Sequence, residues 1–90
     1  MEHAEISAHM VRVFDFVQTS KRWVSNTEIA AGAKVAPRTA RAHTAYFVKM
    51  GIFDQAEVFP AHRYRLSPQA MNRHKAYLLR LQQAQEILAS

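Results

Sequence analysis

Apolar residues recur at helical spacing from the start of the chain. Ile6, Met10, Val13, Phe14 and Val17 form one stripe and predict a helix over Ala4 to Thr19. Val11 and Phe16 fall off that stripe, so this helix is either covered on two sides or leaves Phe16 at the edge of the core. Ser20-Lys21-Arg22 interrupts the pattern, and Trp23-Val24 is a short pair that favours β structure. Ser25 and Glu28 then have the spacing of a capping box, with Val24 and Ile29 at the positions of a hydrophobic staple. They predict a brief helix near Asn26 to Ala31, stopped by Gly32. Ala33-Lys34-Val35-Ala36 follows as a tight connection with Val35 as its buried anchor.

The stretch Lys34 to Met50 is the centre of the chain. Proline suits the first helical position and glycine the residue past the last, so Pro37 starts this helix and Gly51 ends it. Ala40, Thr44, Phe47 and Met50 share one stripe, which leaves Arg38, Arg41, Ala42, Ala45 and Lys49 on the opposite face. That face has three cations, two small residues and no acid. It has the character of a surface that enters a phosphate-lined groove, with an ordinary solvated helix face as the alternative.

Beyond Gly51, Ile52 and Phe53 open a β segment that runs to about Val58. Phe59-Pro60-Ala61 makes a turn, and His62 to Leu66 returns with Tyr64 and Leu66 on one side and Arg63 and Arg65 on the other. The two arginines serve either as a basic contact surface or as charges that protect an edge strand from aggregation. Phe59-Pro60 at the tip is expected to fold against the sheet, with a minor-groove or protein contact as alternatives. Ser67-Pro68 caps and starts a last helix, Pro68 to about Leu88. Met71, His74, Leu78, Leu81, Gln85 and Leu88 fall near heptad spacing, and Ala70, Tyr77 and Ala84 add an overlapping seam with Leu81 and Leu88. So broad an apolar side needs cover, from the first helix or from a second copy of the chain.

Charge sharpens this picture. Twelve Lys and Arg against seven Asp and Glu give a formal net charge of +5, which favours polyanionic partners, nucleic acid first and an anionic membrane surface second. Between Lys34 and Lys75 eight cations face only Asp54 and Glu57. If about five of them neutralise phosphates, binding would fall with salt at a log–log slope of roughly −4 to −5 per protomer. Cysteine is absent, which removes disulfides, thiolate metal sites and cysteine nucleophiles. The histidines His3, His9, His43, His62 and His74 make no i, i+4 pair, so neither a metal site nor a cofactor is expected. His43 reads as a partly buried structural residue or a phosphate contact. With two glycines and no grouped carboxylates the chain lacks a phosphate loop and acid–base machinery, and it is not expected to be an enzyme. No apolar run approaches the roughly 20 residues of a membrane span, and the first five residues are acidic where a signal peptide would be basic. A cytoplasmic protein without membrane contact is expected.

Ser25-Asn26-Thr27-Glu28-Ile29-Ala30, Val35-Ala36-Pro37-Arg38-Thr39-Ala40-Arg41, Met50-Gly51-Ile52-Phe53 and Arg63-Tyr64-Arg65-Leu66-Ser67 follow one another in a familiar order. Together they resemble the second helix, recognition helix, exit turn and wing of bacterial, phage and plasmid winged helix-turn-helix regulators. The resemblance covers about Ala4 to Ser67. It implies an α+β, mostly α fold: a three-helix core, a small β-hairpin wing over Phe53 to Leu66 and an added C-terminal helix, dividing the chain at residues 1–67 and 68–90. It further implies a recognition helix over Lys34 to Met50 in the DNA major groove, with Arg38, Thr39, Arg41, Ala42, Ala45, Tyr46 and Lys49 at or near the groove. His62, Arg63 and Arg65 on the wing would then meet the adjacent backbone or the minor groove.

Two positions depart from that family. Ala36 stands where a serine or threonine cap is frequent, at a cost of about 1 kcal/mol, while leaving the helix N–H groups free for a phosphate. Thr44 stands where leucine is usual, so the core there is either thinner or filled by a phenylalanine from the first helix. The expected function is sequence-specific binding of double-stranded DNA by a homodimeric transcriptional regulator, a repressor at a two-fold site. Dimerisation would run through Pro68 to Leu88, with Tyr77, Leu78, Leu81 and Leu88 at the seam and help from the first helix. No effector follows from the sequence, although a small pocket between the first and last helices is conceivable. The alternatives are a winged-helix protein–protein assembly module and a plasmid or phage replication or segregation protein.

Overall fold

A computed structural model describes residues 6–58 and 60–89. Helix α1 runs over Ala8–Ser20 and starts later than its apolar stripe suggests. The reason is local: the Ser7 hydroxyl accepts the Met10 N–H at 3.1 Å and so caps the helix. Helix α2 spans Asn26–Ala33 and opens with the expected capping box. Ser25 Oγ accepts from the Glu28 N–H at 3.2 Å, and the Ser25 N–H donates to Glu28 Oε1 at 2.9 Å. Val24 and Ile29 are both fully buried beside it.

Gly32 does not stop α2. The helix continues to Ala33 and turns at Lys34, which takes the left-handed conformation at φ 58°. Gly32 has another role, because a Cβ there would meet the ring of Phe16, which would have to move aside. Phe16 thereby lies across α2 while Val11 is buried, and α1 is covered on two sides. Val35, expected as a buried anchor, is only half-buried.

Helix α3 spans Pro37–Met50, with Ala36 as an N-cap that makes no side-chain bond. Gly51 ends it at φ 80°, and the Gly51 and Ile52 N–H groups close on the carbonyls of Val48 and Phe47 at 3.0 and 2.9 Å. Its inner stripe is Ala40, Thr44 and Phe47, with Met50 half-buried. Strands β1, Phe53–Val58, and β2, Ala61–Leu66, pair antiparallel with Phe53 opposite Leu66 and Val58 opposite Ala61. The Trp23-Val24 pair joins this sheet at one point, where Val24 and Tyr64 exchange two backbone bonds of 2.8 and 2.7 Å. Phe59 lies outside the described residues, as does His3; Pro60 beside the turn is exposed.

The segment beyond Ser67 corrects the reading of one continuous helix. It forms α4, Ala70–Arg73, and α5, Lys75–Ala89, with a break at His74. No proline or glycine marks this break. Packing does: Ala70 is sealed inside, and the changed direction lets Tyr77, Leu78 and Leu81 lie on α1 of the same chain. The Tyr77 hydroxyl donates to Met10 Sδ at 3.3 Å across that contact.

The core centres on three phenylalanines, one each from α1, α3 and β1. The Phe47 and Phe53 rings are 4.8 Å apart, with Phe14 at 6.0 Å from the first and 6.5 Å from the second. Thr44 is buried beside this cluster, with its hydroxyl hydrogen-bonded to Asn26. Among the described residues, five helices and a two-stranded hairpin make the mostly helical winged helix-turn-helix architecture.

Candidate nucleic-acid interface

The buried stripe of α3 holds the helix against Phe14 and Phe53, so its outward residues are presented rather than mobile. Arg38, Arg41, Ala42, Ala45 and Lys49 are all exposed on this face, and Thr39 is half-buried at its margin. None of the three cations forms an ion pair with an acid among the described residues. Tyr46 departs from the group. It is half-buried, edge-on to Phe47 at 5.8 Å, and it neighbours Tyr77 of α5. The Tyr77 phenol is held protonated far above the ordinary tyrosine range by burial first and by Tyr46 second.

The wing cations are in a different state. Arg63 Nη1 meets Glu28 Oε1 at 3.2 Å, and Arg65 Nε meets Asp54 Oδ2 at 3.2 Å. The Arg65 guanidinium also stacks over Trp23, 4.5 Å from the ring centre. His62 lies 3.9 Å from Glu57, a pair that carries charge only when the imidazole is protonated. Glu28 is the hub of one side. It caps α2, meets Arg22 at 3.1 Å and Arg63 at 3.2 Å, and its carboxyl is held below the usual range, first by the Ser25 N–H and then by Arg22.

His43 sits on α3 near α1. Burial first, and then His9, push its imidazole below the ordinary value and favour the neutral ring. His9 in turn lies 2.7 Å from Arg12. These residues have the geometry of a structural seam between α1 and α3.

A side-chain network that charge and motif reasoning did not foresee lies behind the site. Thr44 Oγ1 donates to Asn26 Oδ1 at 2.9 Å, and Asn26 Nδ2 donates to the Tyr64 hydroxyl at 3.3 Å. Thr44 was visible as a departure from an apolar position, and that polarity was the only signal available. Asn26, the first residue of α2, gave none, and Trp23 was read only as a β former.

Of the four residues expected at a dimer seam, Tyr77, Leu78 and Leu81 are closed over by α1 in the same chain and only Leu88 is exposed. A cleft of about 500 Å³ lies away from the expected pocket between α1 and α5. It is lined by Val17, Trp23, Arg65, Leu66 and Pro68 at the base of the wing and is open to solvent. Among the described residues no helix is long and apolar enough to cross a membrane.

No protein-family model and no curated protein matches this chain. Solved structures do match. The ST1889 protein of the thermoacidophilic archaeon Sulfolobus tokodaii aligns over 94% of this chain and 84% of its own, with 15% identity and a TM-score of 0.66. The zinc-responsive MarR family member ZitR of Lactococcus lactis aligns over 97% of this chain and 63% of its own, at 11% identity and a TM-score of 0.60; ZitR has also been solved in complex with DNA. A mutant of the type III plasmid segregation protein TubR aligns over 88% of this chain and 97% of its own, at 13% identity and a TM-score of 0.57. At such identities the likeness speaks to the fold, and the fold is the winged helix-turn-helix.

Proposed function

We propose that this chain binds double-stranded DNA by laying the outward face of α3 in the major groove, and that it works as a dimeric transcriptional regulator of repressor type. The observation that carries the reading is that Arg38, Arg41 and Lys49, around Ala42 and Ala45, have no acidic partner among the described residues, on a helix whose other face is locked into the core. Arginine forks can bind guanine edges or phosphates, and alanines allow close approach to a thymine methyl. The likeness to ZitR, solved with DNA, supports the same use of the fold.

The dimer belongs to this proposal too. Since Tyr77, Leu78 and Leu81 are occupied within the chain, a second copy would meet α4 and α5 through Leu88, Leu79 and Met71, all exposed. Two copies related by a two-fold axis would present two α3 helices to half-sites about one helical turn apart.

Selection of bound duplexes from a random-sequence DNA pool tests the reading, with the wild type beside Arg38→Ala/Arg41→Ala. A symmetric motif enriched by the wild type and lost by the variant is the expected result. The TubR likeness, which extends over nearly all of that protein, favours a second reading as a plasmid segregation or replication protein. Enrichment of repeated sites in place of one palindrome would select it. Enrichment of nothing would leave the cationic face to an acidic protein partner, as in an assembly module.

A further inference from the structure

The groove-facing helix and the wing are joined along the chain only by Gly51 and Ile52, yet both must reach one duplex at a fixed spacing. A polar path connects them along the edge of the core, through a half-buried Asn26. It starts at Thr44, which is 1% exposed on the inner face of α3, and passes to Asn26 at the first position of α2 over 2.9 Å. It ends at the hydroxyl of Tyr64 on β2, a residue 6% exposed, over 3.3 Å. Tyr64 is also the residue through which Val24 is stitched to the wing by two backbone bonds.

The amide of Asn26 is the middle member and offers an acceptor to one hydroxyl and a donor to the other. The Thr44 hydroxyl donates to the amide oxygen of Asn26, which turns the amide nitrogen toward Tyr64. Thr44 has one proton and a second acceptor in reach, the Arg41 carbonyl at 3.1 Å, so the bond to Asn26 competes with a local helix bond. A leucine at 44 would fill the core and break the path, which gives a polar residue at this buried position a reason to be there.

We propose that Thr44, Asn26 and Tyr64 form a positioning relay that sets the wing against the DNA-facing helix. The affinity part of its test rests on the DNA-binding reading; the wing-geometry part does not.

The experiment compares Thr44→Val, which keeps the shape and removes the hydroxyl, with Thr44→Ser, which keeps the hydroxyl and loses a methyl. Hydrogen exchange of the Val24 and Tyr64 amides is measured against amides of α1, together with binding to a random-sequence duplex of about 30 base pairs. The relay requires Thr44→Val to speed exchange at Val24 and Tyr64 by about tenfold relative to α1. It also requires Thr44→Val to weaken binding by about tenfold, Thr44→Ser to stay near wild type, and Thr44→Val/Tyr64→Phe to be no weaker than Thr44→Val alone. A purely packing role predicts the opposite order, with serine the worse substitution. Unchanged wing exchange in Thr44→Val, or serine behaving like valine, overturns the relay. If the wild type itself fails to bind the duplex, the DNA-binding reading falls, and the exchange order of valine against serine still decides the relay. Should Thr44→Val not fold, Tyr64→Phe takes its place, with faster Val24 exchange expected and wild-type exchange overturning the relay.

Discussion

Helix α3 and the wing carry the same kinds of cation and hold them in opposite states. On α3, Arg38, Arg41 and Lys49 stand in solvent without an acidic neighbour among the described residues. On β2, Arg63 is bound to Glu28, while Arg65 is held between Asp54 and the Trp23 ring. A free guanidinium gains a full contact when it meets a phosphate or a base. A paired one must first give up its carboxylate, a loss of about 0–1 kcal/mol for an exposed pair, and the acid left beside it then repels the incoming phosphate. Equal charge in the sequence therefore does not mean equal readiness to bind, and the affinity should be concentrated on α3.

The largest effect should come from the free side of this contrast. Arg38→Ala/Arg41→Ala is expected to weaken binding to the selected duplex by about a hundredfold or more and to flatten the salt slope by about two. Anisotropy titrations at several salt concentrations measure both, and an unchanged melting temperature shows that the fold is not the cause.

Next in size is a change to the seat of α2, which carries the Glu28 that ties down the wing. Gly32→Ala should cost about 1 kcal/mol, the displacement of the Phe16 ring outweighing the better helix propensity of alanine. Chemical denaturation would read this loss, and Phe16→Leu on the same background should return part of it.

A smaller effect reverses the contrast. Glu28→Gln keeps the capping-box bond to Ser25 but releases Arg22 and Arg63. Affinity should rise by about threefold, as the freed cations become available to phosphate. Conversely Arg63→Ala should lower affinity by less than about threefold in the same titration. A loss as large as that of the α3 pair would mean that the wing pairs open on binding and that the contrast does not survive in the complex.

The smallest effect concerns pH. His43 titrates below the ordinary value of 6.5 in the folded chain, so near and below that pH the unfolded chain binds the extra proton more readily. The stability this neutral ring contributes is fully present above about pH 6.5 and declines as pH falls toward the lowered folded value. Melting curves between pH 7.5 and 5.5 should show a decrease that His43→Gln reduces.

Much of the fold was legible because its signals are local. The Ser25–Glu28 box, the Pro37 start, the Gly51 stop and the alternation across Tyr64 and Leu66 each act over a few residues, and the structure follows them. The outward face of α3 was legible for the same reason, since helical periodicity alone sorts Arg38, Arg41, Ala42, Ala45 and Lys49 from Ala40, Thr44 and Phe47. Tyr46 was assigned to the groove by resemblance, and its place beside Tyr77 depends on a helix far along the chain.

What the amino-acid sequence determined by itself was therefore the set of elements, the inner stripe of α3 and the small cationic face opposite. Tertiary structure alone decided which cations stay free, that Gly32 serves Phe16 rather than a helix end, and that the last helix breaks at His74 and folds onto α1. It also turned Thr44 from an apparent gap in the core into a polar tie to the wing. The physical reason is range. Caps and periodicity act between neighbours, whereas the pairing of Arg63 with Glu28 spans 35 residues and that of Tyr77 with Met10 spans 67, and such partners meet only when the whole chain has packed.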